Sequence, residues 1–178
     1  MGSSSRIPND DADTWYNKGL LYGNQGDTVN AMKCLDRAIE IDPNYAEAWH
    51  YKGLLYVNQG DAVNAMKCYD RAIEINPNLA VAWHSKGALY GNQDNTVNAM
   101  KCFDRALEIN PNLTEPWYKS SVLYGKQGDS ENEKICSTCK TKIRKGRCQC
   151  TDDDEPGTCR NQDKYKGYFN FDGNWSHL

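Results

Sequence analysis

The residues best suited to chemistry lie near one end of the sequence. Cys136 and Cys139 form a C-x-x-C pair, Cys148 and Cys150 form a C-x-C pair, and Cys159 follows. Four thiolates in two close pairs can enclose zinc tetrahedrally, and the first pair has the usual zinc spacing. The second pair also suits other soft metals. Lys140, Lys142, Arg144, Lys145 and Arg147 stand among these cysteines and favour their thiolate forms. The flanking residues are not those of a zinc knuckle, so three states stay open for Cys136, Cys139, Cys148 and Cys150: metal ligands, free thiols or disulfides. No strand precedes the C-x-x-C, which argues against a thioredoxin-like redox motif. His50 and His84 form a second candidate pair, one repeat apart. They suit a pH-sensitive or metal-binding pair, but no third ligand lies at compatible spacing, and imidazole simply taking the place that Tyr16 holds in the first repeat is the simpler reading. Neither histidine has a serine or cysteine near it in a catalytic pattern. The sequence also lacks a Gly-rich phosphate loop, so it reads as non-enzymatic.

The elements that must position these side chains are announced by a period. Trp15, Trp49, Trp83 and Trp117 stand 34 residues apart, as do Pro43, Pro77 and Pro111, and Cys34, Cys68 and Cys102. Residues 12–45 and 46–79 match at 25 of 34 positions, and residues 46–79 and 80–113 match at 25 of 34. A fixed period of this size specifies a solenoid of stacked units. Each unit reads as two helices, A and B. Gly26, Gly60 and Gly128, with Asp94 in the third copy, supply a left-handed residue that ends helix A. Asp27, Asp61, Asn95 and Asp129 follow as N-caps of helix B. Prolines stop helix B, and Asn44, Asn78 and Asn112 are candidate caps for the next helix A. Cys34, Cys68 and Cys102 recur inside helix B, where a small, weakly apolar side chain packs well.

This pattern closely resembles the tetratricopeptide repeat family over residues 12 to 127. In the second unit the family positions are Trp49, Gly53, Tyr56, Ala65, Tyr69, Ala72 and Pro77. The resemblance implies an all-α helix-turn-helix solenoid of three full repeats (12–45, 46–79, 80–113) and a partial fourth (114–127). A disordered leader, residues 1–11, precedes it, and a small Cys-rich, irregular C-terminal segment, residues 128–178, follows. Within the fourth unit Ser121 replaces the close-approach glycine. Glu133 and Lys140 fall where the earlier units have alanine, so helix A of that unit is expected to cap the array, with a short, differently packed helix after it.

The resemblance also implies a function. Helix A side chains of this family line a concave groove that holds peptide segments of partner proteins. Here the positions include Tyr16, Leu20, Asn24, Glu47, His50, Leu54, Asn58, His84, Asn92, Tyr118 and Val122. Some members grip a C-terminal carboxylate with Lys, Asn and Arg. The matching positions hold Tyr16, Leu20, Val81 and Ser85, so that clamp is missing. The expectation is a protein-interaction scaffold for an extended or helical segment with apolar anchors and some positive charge. The alternative is a structural or regulatory module whose Cys-rich tail drives metal-dependent folding or self-assembly, with zinc as the candidate cofactor and a homo-oligomer as one outcome.

Composition agrees with this reading. Hydrophobic residues make up 39% of the 178, a low share that suits repeat units keeping much surface in water. Net charge is −3, and the basic run in residues 140–147 is followed at once by Asp152, Asp153, Asp154 and Glu155, which argues against nucleic acid as a partner. No apolar run approaches membrane-spanning length, and the opening stretch lacks the apolar core of a signal peptide. A cytoplasmic location is therefore expected.

Overall fold

A computed structural model describes residues 11–130, 133, 134 and 137. The cysteine pairs of residues 136–150 and the leader at residues 1–10 lie outside the described residues, so the expectations for them stand as they were. Seven helices follow one another: α1 (Ala12–Asn24), α2 (Thr28–Ile41), α3 (Ala46–Asn58), α4 (Ala62–Ile75), α5 (Ala80–Asn92), α6 (Thr96–Ile109) and α7 (Thr114–Lys126). The described residues contain no strand, and the tandem helix pairs give the all-α solenoid class expected from the period.

The turns follow from a few residues repeated in each unit. At the end of α1, Gly26 adopts φ +78°, and the Asp27 amide donates to the Tyr22 carbonyl at 2.9 Å. This is the hydrogen bond of a Schellman turn, which needs a left-handed residue. Asp94 takes the same conformation at φ +57° and closes the same turn without a glycine. The next helix starts on a carboxylate or amide. Asp27 accepts from the Asn30 amide at 3.1 Å, Asp61 from Asn64 at 3.0 Å and Asn95 from Asn98 at 3.3 Å. These bonds satisfy donors that a helix start leaves open.

The loops from helix B to helix A differ from expectation. Asn44, Asn78 and Asn112 do not cap the helices that follow. Their backbone amides instead donate to the side chains of Asp42 (2.9 Å), Asn76 (3.0 Å) and Asn110 (3.0 Å). Tyr45 and Leu113 occupy the cap positions of α3 and α7, with no side-chain cap bond. A side-chain turn two residues earlier has already bent the chain there. The loop is then pinned by tryptophan. The indole N–H of Trp49 donates to the Pro43 carbonyl at 3.2 Å, Trp83 to Pro77 at 2.9 Å and Trp117 to Pro111 at 3.0 Å. The family's Trp and Pro are thus two ends of one hydrogen bond.

Two compact units can be told apart, Met1–Ser85 and Lys86–Leu178. In the first, α1 packs on α2, α2 on α3 and α3 on α4. Its core includes Ala31, Leu35, Ala38, Ala48 and Leu55. In the second, α6 packs on α7 around Ala99, Phe103 and Leu123. Glycine sets the helix spacing in both. A methyl group on Gly53 would stand 2.5 Å from the Tyr69 ring, and one on Gly87 would stand 2.7 Å from the Phe103 ring. Only a bare backbone lets those buried rings in. Cys34, Cys68 and Cys102 are buried thiols outside any disulfide, and burial pushes Cys68 up to about 11. They pack as small apolar groups, as their recurrence suggested.

Candidate protein-binding surface

The side of each helix A that does not meet helix B carries the candidate site. In the Met1–Ser85 unit, the close approach of Gly19 to Leu35 and of Gly53 to Tyr69 fixes which faces of α1 and α3 are spent on the core. Tyr16 then stands beside two tyrosines that sequence reading did not single out. Its ring centroid is 5.0 Å from that of Tyr45, tilted by 47°, and 6.4 Å from that of Tyr51, edge to face at 83°. Such offsets are the preferred geometry of aromatic pairs. All three rings are half-buried. Burial, a hydrogen bond to Asp13 and the Asp13 charge raise the pKa of Tyr45. Burial, and then the Glu47 carboxylate, raise that of Tyr16. An acidic, aromatic patch is thereby assembled from α1, the loop before α3, and α3. Tyr51 also rests on Gly23, where any side chain would collide with its hydroxyl.

Farther along α3, His50 is half-buried and its Nε2 lies 3.0 Å from Ser85 Oγ. Its ring stands 5.8 Å from that of Tyr69. A hydrogen bond between Ser85 and Tyr69 extends the contact, so Tyr69, Ser85 and His50 form one polar chain at the edge of the core. The serine was not singled out from the sequence. The two residues are 35 apart, and only the stacking of repeats brings them together. The pair is poorly suited to proton transfer at neutral pH. Burial first, and His84 second, push His50 down to about 4, so the ring is neutral and a weak base. Among the described residues, no group of three or more His, Cys, Asp or Glu is placed to hold a metal ion.

Of the other expected positions in this unit, Leu20 and Leu54 are half-buried, Asn24 and Asn58 are the exposed last residues of α1 and α3, and His84 is half-buried on α5. In the Lys86–Leu178 unit, Asn92 is the exposed last residue of α5, while Tyr118 and Val122 stand on α7, 44% and 40% exposed. These last two are large apolar groups left in water on one helix face, four residues apart. The missed residues, Tyr45, Tyr51 and Ser85, share a signal: each breaks the repeat. Tyr45 stands where Leu79 and Leu113 stand, and Tyr51 and Ser85 share a position with Asn17 and Lys119.

The sequence profile of the tetratricopeptide repeat matches residues 12–45, 46–79 and 80–113. The chain belongs to the tetratricopeptide repeat family. As a tetratricopeptide repeat protein it is a non-catalytic scaffold for protein interactions. No curated protein matches the chain at a significant level. Solved structures share the fold. A crystal structure of MamA superposes with a TM-score of 0.70 at 19% identity, covering 79% of this chain and 81% of that chain. MamA 41-end from Desulfovibrio magneticus RS-1 gives 0.66 at 17%, covering 78% of each. The first TPR of Spaghetti (RPAP3), bound to the HSP90 peptide SRMEEVD, gives 0.63 at 21%, covering 66% of this chain and 94% of that chain. No helix among the described residues is long and apolar enough to cross a membrane.

Proposed function

We propose that this tetratricopeptide repeat protein holds a peptide segment of another protein on its helix A faces, with residues 12–127 as the working part. In Met1–Ser85 the contact residues are Tyr16, Leu20, Asn24, Glu47, His50, Leu54, Asn58 and His84; in Lys86–Leu178 they are Asn92, Tyr118 and Val122. The observation that carries this reading is the contrast between the two helix types. Helix B is kept nearly constant from unit to unit, while outward positions of helix A vary and keep half-buried aromatic and apolar groups. Rigid paired helices display those groups in fixed positions, so little order is lost on binding.

The RPAP3 repeat domain holds a peptide ending in acidic residues and valine. An acidic tail is not the partner proposed here. The clamp positions carry Tyr16, Leu20, Val81 and Ser85, and the patch around Tyr16 has Asp13 and Glu47 in place of cations. A segment with apolar anchors and positive charge fits better. Cytoplasmic residence belongs to the same reading, supported by three buried cysteines that remain thiols.

Selection of a displayed random-peptide library on the full chain tests the proposal. Selected peptides should lose about ten-fold or more in affinity on Leu54→Glu or Tyr118→Ala, with helical circular dichroism unchanged. Affinity that ignores both substitutions refutes it.

A further inference from the structure

The tyrosine cluster of the Met1–Ser85 unit has a charge feature that the apolar groove does not explain. Asp13 and Glu47 both stand beside tyrosine rings, and the half-buried Glu47 makes no ion pair among the described residues. The cations on the same two helices are committed elsewhere. Lys18 Nζ lies 4.9 Å from the centroid of the Trp15 ring. Lys52 Nζ lies 2.5 Å from the Asp36 carboxylate on α2 and 5.6 Å from the centroid of the Trp49 ring. Among the described residues, three electron-rich rings and two carboxylates are thus gathered with no cation recorded against them. A carboxylate in partly dry surroundings raises the field that a ligand cation meets, and the faces of the rings attract the same charge.

Resting on the groove reading, we infer that Tyr16, Tyr45 and Tyr51, with Asp13 and Glu47, form the subsite for one lysine or arginine side chain of the bound segment. The rings take the aliphatic stem and the edge of the charge, and the carboxylates take the ammonium or guanidinium hydrogens. Asp13 also orients the site, because its carboxylate is hydrogen-bonded to the Tyr45 hydroxyl. The corresponding residue on α5 is Val81, 41% exposed, so α5 does not continue the carboxylates of α1 and α3.

The experiment is a titration of the full chain followed by NMR of its tyrosine rings. The probes are Nα-acetyl-lysine methylamide, Nα-acetyl-arginine methylamide and the uncharged Nα-acetyl-norleucine methylamide. Ring signals of Tyr16, Tyr45 and Tyr51 should shift saturably with at least one cationic probe, and about five-fold more weakly with norleucine. Glu47→Gln, whose side chain makes no hydrogen bond to the rest of the fold among the described residues, should remove that preference and leave the norleucine response unchanged. Tyr16→Leu should also weaken the cationic probes, with unchanged helical content as the control. Equal response to all three probes, no response at these rings, or a preference that survives Glu47→Gln overturns the inference. Its failure is distinct from failure of the groove reading. Library peptides that bind through Leu54 yet gain nothing from lysine or arginine would keep the groove and discard the subsite. Library peptides that ignore Leu54 and Tyr118 would discard the groove itself.

Discussion

Helices α2, α4 and α6 are almost the same helix three times, whereas helices α1, α3, α5 and α7 diverge most where they face away from the core. The first set differs at three positions: Thr28, Ala62 and Thr96; Leu35, Tyr69 and Phe103; Ile39, Ile73 and Leu107. The outward positions of the second set are Asp13, Glu47, Val81 and Glu115 at one place in the repeat, and Tyr16, His50, His84 and Tyr118 at another. The contrast separates two jobs. Helix B supplies the alanines, the thiol and one large side chain that fill the interior, so it tolerates little change. Outward positions of helix A carry less of that duty, and we read them as setting what the surface binds. The one large side chain of helix B is not free either, because it is matched to a glycine of helix A: Leu35 with Gly19, Tyr69 with Gly53 and Phe103 with Gly87.

The comparison can be broken first at its strongest point. Phe103 is 1% exposed and Leu35 fully buried. Phe103→Ala should cost about 3–5 kcal/mol and Leu35→Ala about 2–5 kcal/mol, read as shifts in the urea midpoint. A loss below about 1 kcal/mol at both would show that helix B does not carry the fold.

The glycine pairing is tested by a smaller change. Alanine gains about 0.5–1 kcal/mol over glycine within a helix. At Gly53 the new methyl would sit 2.5 Å from a ring that is 1% exposed and cannot yield, a clash worth about 1–3 kcal/mol. At Gly19 it would sit 3.2 Å from Leu35, where a shift of a few tenths of an ångström is enough. Gly53→Ala should therefore lower the melting temperature and Gly19→Ala leave it nearly unchanged. Equal effects would mean that the size of the helix B side chain is not matched to the glycine.

The smallest effect lies on the varied face. His50 is held down to about 4 when folded, by burial and by His84, against about 6.5 for a free imidazole. The folded state thus prefers the neutral ring. Its stabilising share is complete above about pH 6.5 and is lost as pH falls toward 4, by roughly 2 kcal/mol between pH 7 and 5. His50→Gln should flatten most of that slope between pH 7 and 5 in urea denaturation. Below that window, Asp27 and Asp61 take over. Their carboxyls are held below the usual range by hydrogen bonds from the Asn30 and Asn64 amides, so their stabilising share is present above about pH 4 and is lost as the caps protonate. Asn95 makes the same cap on α6 without titrating, so hydrogen exchange should show acid fraying at the starts of α2 and α4 but not of α6.

Much of this molecule was legible as text. The period, the helix pairs, the left-handed residues at Gly26, Gly60, Asp94 and Gly128, and the caps at Asp27, Asp61 and Asn95 all follow from residue type and position. Each depends on interactions within a few residues, which local sequence encodes directly. The role of the recurring cysteines was legible for a related reason: anything repeated at 34-residue steps is serving what every unit needs. The Asn44, Asn78 and Asn112 caps were misjudged because two neighbouring side chains compete for the same turn, and the bent loop let the earlier one win.

What only the tertiary structure decided is which residues of different units meet. Tyr16, Tyr45 and Tyr51 come from two helices and a loop, and His50 reaches Ser85 across 35 residues. The sequence determined the unit and its repetition, because those rest on local geometry and on a periodic core. The stacking of one unit on the next determined the surface, because contacts between units join side chains about a repeat apart, and no local rule pairs residues at that separation.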